Sequence, residues 1–352
     1  MTDRREAFRW GIVGAGAIAR QFAADLVHTR DGAVGGVFSR TEGMARDFAR
    51  VFGTDKVFLT LEGLLADPGI DAVYIATPSA LHAPQALQAI AAGKPVLVEK
   101  PLATRSIDAE AVADAAAKFD VFVMEALWSR FLPAVEHVHK LLAENAIGTV
   151  SRVEAELSFP HPEQPGSRFY DPGLGGGAAF DLAVYPLSLS LMFFGKPVSV
   201  AGRWWAASTG VDKRTEFEVG FAGGIVGRFS CGFDREGENA FTVIGSKGAL
   251  RIAPPFLKAQ KVMRYNASAR DLPLVGAAGP AGGLAGKLLA RMPVPGRSIR
   301  QFVFPGNGLQ FEAEKVSQAV RAGKRRSDVM PLADSVTVLD IIERVLSQPA
   351  ER

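Results

Sequence analysis

A single cysteine, Cys231, stands in the 352 residues. One thiol excludes an internal disulfide framework and any cysteine-rich metal centre. Cys231 sits in an apolar, strand-like run, so it reads as a buried, inert thiol rather than a nucleophile. Histidine is also scarce. None of His28, His82, His137, His139 and His161 has glutamate-bracketed zinc spacing, and His137 and His139, two apart, fall on different faces of a helix. No structural metal is expected. Nor does charge of one sign dominate: 40 basic residues oppose 37 acidic ones, for a net charge of +3. No Lys/Arg stripe with interleaved aromatics is present, which argues against a nucleic-acid partner. Lys324-Arg325-Arg326 reads as the end of a solvated helix. No run approaches the ~18 apolar residues of a membrane span. Arg4-Arg5 leads into a strand, Phe8 to Val13, and not into a signal core. The expectation is a cytoplasmic protein with no membrane partner.

What is present is a folded chain, 48% hydrophobic and 22% charged, and long for one core. The pattern changes near residue 126. A dinucleotide-binding domain over 1–126 and an α+β domain over 127–352 are therefore expected. In the first part, buried-strand runs alternate with helices across short turns, which predicts a doubly wound parallel sheet of the Rossmann kind.

Phe8 to Val13 runs into Gly14-Ala15-Gly16-Ala17-Ile18-Ala19 and then a helix. In this G-x-G-x-x-A context Gly14 permits the tight turn and Gly16 lets backbone approach a pyrophosphate. Ala19 allows close helix–strand packing. The anion would rest on the helix N-terminus at Ala17 and Ile18. The second strand ends in Ser39-Arg40 where an NAD site usually offers an acid, so a 2′-phosphate is the better match. NADP(H) is the expected cofactor, with NAD(H) as second choice. The strand Asp71 to Ala76 ends in Thr77-Pro78-Ser79, whose hydroxyls suit phosphate, ribose or a helix N-terminus, and His82 just beyond reads equally as a cap or a cofactor contact. Pro95 to Val98 is a further buried strand closed by Glu99-Lys100-Pro101. Ligands in such sheets bind beyond the strands' carboxyl ends, where Lys100 would stand.

The second part opens with a helix near Pro133 to Asn145 and an alternating strand, Arg152 to Phe159. A Pro/Gly-rich loop then carries Arg168, Tyr170 and Asp171 to Gly175-Gly176-Gly177, and a helix is expected over Ala178 to Phe194. Asp181 and Tyr185, four apart, share one face of it; they read as a catalytic pair or as a cap-region acid and a buried phenol. Strand-like runs near 198–207, 215–222, 225–233 and 240–246, with a turn at Gly223-Gly224, predict a mostly antiparallel open sheet. Residues 276–286 form a low-complexity stretch within an insertion over 276–300, and two helices close the chain near 308–322 and 332–347.

These residues together resemble the Gfo/Idh/MocA oxidoreductases. The glycine motif, Thr77-Pro78, His82, Glu99-Lys100-Pro101, and Gly175-Gly176-Gly177 running to Asp181 and Tyr185 carry the likeness over nearly the whole chain. Met124 to Phe131 and Tyr185-Pro186-Leu187 are similar to the branch of dimeric dihydrodiol dehydrogenases and NADP-dependent D-xylose dehydrogenases. Ser79, Ala183 and Asn307 depart from the family pattern. The resemblance implies catalysis by Lys100 and Tyr185 with Asp181 nearby, Trp128 and Arg130 near the cofactor, and a cis Lys100–Pro101 bond. Lys100 is also expected to touch the cofactor, and Glu99 reads as a contact to the nicotinamide ribose or as a support for the turn. The expected activity is hydride transfer to or from a sugar, polyol or cyclic diol, with Arg168, Asp181 and Tyr185 facing substrate. A homo-oligomer, dimer or tetramer, is expected because the second sheet leaves one face uncovered. The alternatives are a non-catalytic dinucleotide sensor of the same fold and a sugar–sugar oxidoreductase with tightly held cofactor.

Overall fold

Strands β1 (Phe8–Val13), β2 (Gly32–Phe38), β3 (Val57–Phe58), β4 (Ala72–Ile75), β5 (Val96–Glu99) and β6 (Val123–Ala126) form one sheet in the order β3-β2-β1-β4-β5-β6. Every pairing in it is parallel. Strands β4, β5 and β6 are buried throughout, because parallel sheets carry helices on both faces; that is why they read as unbroken apolar runs. Helices α1 (Ala17–Asp25), α2 (Glu42–Phe52), α3 (Leu61–Ala66), α4 (His82–Ala91) and α5 (Ser106–Phe119) make the crossovers. The strand order reverses between β1 and β4, the point where such sheets open a ligand crevice. Phe22 stacks on Tyr74 with ring centroids 3.8 Å apart, and Trp10 and Phe8 extend the aromatic core.

The computed structural model describes residues 7–164, 166–267 and 295–351, and the stretch 276–286 lies outside them. The described residues divide into two compact units, and the division does not follow one cut in the chain. A boundary at 126/127 would leave residues 305–340 with the later part, yet they pack with the parallel sheet. The cause is local. The buried Asp25 carboxylate accepts the backbone N–H groups of Asn307, Gly308 and Leu309 at 2.9–3.0 Å and the Asn307 side chain at 3.1 Å. It thereby caps α8 (Leu309–Arg321) from a helix 282 or more residues earlier.

The second unit holds α6 (Pro133–Ala143), α7 (Val184–Phe194) and an eight-stranded sheet. Its strands are β7 (Val150–Ser158), β8 (Pro197–Ala206), β9 (Asp212–Phe221), β10 (Ile225–Gly232), β11 (Phe241–Gly245), β12 (Gly248–Ile252), β13 (Lys261–Asn266) and β14 (Arg297–Gln301). They run in the order β14-β13-β12-β11-β7-β10-β9-β8, with only β7 and β10 parallel. Gly223 and Gly224, at φ 75° and 78°, turn β9 into β10 as expected. Among the described residues, Pro172–Phe194 is long and apolar enough to cross a membrane, contrary to the expectation that no run is. Most of it is buried within the protein: it is apolar all round because it is a core helix. The outer face of the sheet carries Glu154, Glu156, Arg203, Glu216, Glu218 and Arg228 around a trough of about 660 Å³.

Candidate active site

The first unit presents a cradle at the end of β1. Gly14 has φ +102°, and a Cβ there would lie 2.6 Å from the Ala76 carbonyl oxygen, so no other residue fits the turn. Gly16 is the opposite case: a Cβ on it would meet nothing within 4 Å, leaving the backbone open to an approaching group. Gly16 is the N-cap of α1, whose first turn at Ala17 and Ile18 carries no acid, while Ala19 packs inward with no exposure. Free N–H groups, a helix dipole and open backbone fit a dinucleotide pyrophosphate. Ser39 is half-buried and Arg40 exposed just after β2. Thr77 donates its hydroxyl to Gln85 at 2.7 Å, and Pro78 and Ser79 lead through a short turn to His82. His82 opens α4 but neither caps it nor lies open to a ligand. It is 1% exposed, and its Nδ1 and Nε2 lie 2.7 and 2.8 Å from the carbonyl oxygens of Pro101 and Thr77.

Lys100 follows β5 in a half-buried turn, and the Lys100–Pro101 bond is cis, as the resemblance implied. The residues behind it are acids. Glu99 is buried and accepts the Tyr74 hydroxyl through one oxygen and the Lys100 N–H through the other. Burial pushes Glu99 up to about 7, against the Tyr74 hydrogen bond and the Lys100 charge. Glu125, at the end of β6, accepts the Leu102 N–H at 2.9 Å. Glu312, from α8, has both carboxyl oxygens buried with no hydrogen-bond partner. Burial, then the charges of Glu99, Asp25 and Glu125, drive it well above the usual carboxylate range. Sequence reasoning missed Glu312 altogether, since an acid on an amphipathic helix ordinarily faces solvent.

In the second unit the residues entering α7 do not form the plain α-helix expected over Ala178 to Phe194. Ala179–Ala183 is a π turn that passes into α7 at Val184. Such turns bulge a helix and recur at functional sites. Asp181 lies within the turn, half-buried, and Tyr185, 6% exposed, follows in the first turn of α7. Asp212, also missed in the sequence, anchors this entry. Its buried carboxylate accepts the Ala179 N–H at 2.8 Å and the Thr215 hydroxyl at 2.7 Å. Burial holds it up to about 6, with those hydrogen bonds opposing. Gly177, at φ +124°, lies against the same carboxylate, so a side chain there would displace it. Gly176 and Gly177 also donate to the carbonyls of Asp171 and Phe169 at 2.9 Å, docking the preceding loop.

Arg168 on that loop is exposed and stacks 4.2 Å over the Phe169 ring. Arg130 is buried and bonded to the Ser188 hydroxyl and carbonyl at 2.7 and 2.6 Å, while Trp128, in the first unit, is 8% exposed. Cys231 is fully buried, and burial with the charges of Asp212 and Asp181 pushes its thiol well up, leaving no nucleophilic thiolate.

Comparison with known proteins agrees with this reading of the two units. Residues 8–127 match the oxidoreductase family with an NAD-binding Rossmann fold, and residues 135–251 match the GFO/IDH/MocA C-terminal domain. The chain is 32% identical over 341 residues to trans-1,2-dihydrobenzene-1,2-diol dehydrogenase of Mus musculus, covering 96% of this chain and 95% of that one. The fold is similar to that of levoglucosan dehydrogenase in complex with NADH and levoglucosan (TM-score 0.81, 21% identity, 97% and 96% of the two chains). It is also similar to a 3-ketoreductase from Actinomadura kijaniata in complex with NADP and TDP-benzene (TM-score 0.77, 24% identity, 97% of both chains). With the glycine cradle, the two sheets and full-length identity above 30% in agreement, this chain belongs to the Gfo/Idh/MocA family and is an NAD(P)-dependent oxidoreductase acting on CH–OH groups.

Proposed function

We propose that the protein transfers hydride reversibly between NADP(H) and a secondary or hemiacetal hydroxyl of a sugar, polyol or cyclic diol, with Lys100 and Tyr185 handling the proton. The observation that carries this reading is the Lys100 turn. A lysine closes a buried strand at the carboxyl edge of a dinucleotide-binding sheet, over the buried carboxyl of Glu99. The nicotinamide supplies the hydride chemistry when bound. Gly14, Gly16, Ala17, Ile18, Thr77, Pro78, Ser79, Glu99 and Trp128 are assigned to its cofactor, and Arg130 to holding α7 through Ser188. Tyr185 accepts the hydroxyl proton in oxidation and returns it in reduction. A phenol's ordinary pKa of ~10 is too high for this, and assigning a lysine ammonium to the same reaction favours the phenolate. Asp181 and Arg168 are assigned to substrate hydroxyls.

The preference for NADP(H) rests on Arg40, which is exposed and has no acid partner among the described residues. Arg40→Ala is expected to weaken NADPH binding by about 10- to 100-fold through loss of charge-assisted hydrogen bonds. NADH binding should stay within about threefold. Fluorescence titration of both cofactors checks this; equal losses for the two would remove Arg40 from the 2′-phosphate site. We assign the uncovered outer face of the second sheet to a homo-oligomer, dimer or tetramer. The cytoplasm is the compartment the reading assigns.

A further inference from the structure

We propose that His82 is held doubly protonated and serves as a positioning residue, its imidazolium tying the turn that presents Lys100 to the loop that ends β4. This role rests on the reading of Lys100 as catalytic. Both ring nitrogens face backbone carbonyl oxygens, Nδ1 that of Pro101 at 2.7 Å and Nε2 that of Thr77 at 2.8 Å. A carbonyl only accepts. A neutral imidazole has one N–H and one lone pair, so one contact would set two acceptors at hydrogen-bond distance. At 1% exposure no solvent relieves that repulsion. With both protons present, each distance is that of a charge-assisted N–H···O bond.

Burial, foremost, and the Lys100 charge push the ring toward its neutral form, as does its place at the start of α4. The carbonyls of Pro101 and Thr77, and more weakly the backbone at Glu99, pull it back. Of the elements packed on α4, α5 turns Ala109, Val112 and Ala116 inward, and the turn Ser79–Leu81 is uncharged. β4 supplies Tyr74, which is bound to Glu99 of β5. Burial and the competing Lys100 cation together hold the ring's pKa below the ordinary imidazole value, so the doubly protonated form rests on the two short carbonyl contacts. One residue thereby joins a carbonyl on the cofactor loop to one adjoining the lysine. Loss of either ring proton frees one end, so the clamp is complete below the folded pKa of His82 and opens as pH rises through it.

Nitrogen NMR of histidine-labelled full-length protein tests the protonation state, with His82→Gln assigning the resonance among the five histidines. We expect both His82 nitrogens in the protonated range at pH ~5, since burial lowers the pH at which the ring takes its second proton. A single neutral tautomer from about pH 5 to 8 would overturn the proposal. The positioning role is read from pH profiles of kcat. His82→Gln, which donates without titrating, should lose an alkaline limb present in the wild type. His82→Phe should lower kcat tenfold or more, with NADPH affinity within about threefold. An unchanged alkaline limb in His82→Gln contradicts the role. The NMR result needs no turnover, so failure of the dehydrogenase reading is told apart from failure of the clamp.

Discussion

Lys100→Met and Tyr185→Phe are each expected to lower kcat by about 10²- to 10⁴-fold, the range that positioned proton transfer contributes. NADPH affinity should change by no more than about threefold, because the cradle at Gly14 and Gly16 and the start of α1 are untouched. Both substitutions nearly keep side-chain volume, which limits the disturbance to packing. In the proposed mechanism Lys100→Met removes the cation that favours a phenolate, and Tyr185→Phe removes the hydroxyl itself. If the two residues act on one proton as proposed, the double variant should be little worse than either alone. Stopped-flow hydride transfer with separate cofactor titration checks all three. Near-normal turnover in either single variant would take that residue out of the chemical step. Equal loss of binding and turnover would assign it to the cofactor instead.

Replacing Glu312 is expected to stabilise the protein, and only above acidic pH. Its carboxyl is buried with neither oxygen bonded, and burial with the charges of Glu99, Asp25 and Glu125 keeps it protonated in the fold. In the unfolded chain it ionises near its ordinary value of ~4.3. A raised folded pKa makes its contribution full below that value and lost as pH rises toward the folded one. Glu312→Leu should therefore gain about 2–4 kcal/mol at pH ~8 and much less at pH ~4.5, measured by urea unfolding. Glu312→Gln, uncharged but still polar, should flatten the same pH dependence without the full gain. Glu99, raised to about 7 chiefly by burial, adds a loss of the same sign between about pH 4.5 and 7, on the order of 3 kcal/mol, that persists in both variants. A gain for Glu312→Leu that is equal at both pH values would mean the carboxyl is not held neutral. Acids this costly are retained where they serve a site.

The parallel sheet was legible because strands buried on both faces are continuous apolar runs, and Gly14 because its backbone angle admits nothing else. The hairpin at Gly223-Gly224 was legible for the same reason. Lys100 stood out once a dinucleotide motif preceded it. What was hidden depends on partners far away in the chain. Asp25 reads as an ordinary end of α1, and only the fold shows it capping α8 through Asn307, one of the positions that depart from the family pattern. Asp212 lies just ahead of the run expected as a strand near 215–222, yet in the fold it begins β9 and anchors the π turn of Asp181. A π turn leaves no periodic signal, being one extra residue in an otherwise apolar helix. His82 offered two readings from sequence, neither of which included a pair of carbonyls 5 and 19 residues away.

The most direct measurement is the absorbance of reduced nicotinamide when the purified protein meets NADP+ and a panel of aldoses, inositols and cyclic diols, repeated with NAD+ and with Lys100→Met. Substrate-dependent reduction by at least one panel member, faster with NADP+ than with NAD+ and lost in the variant, is the predicted result. Tight nucleotide binding with no reduction across the panel would contradict it and would make the protein a dinucleotide sensor built on an oxidoreductase fold.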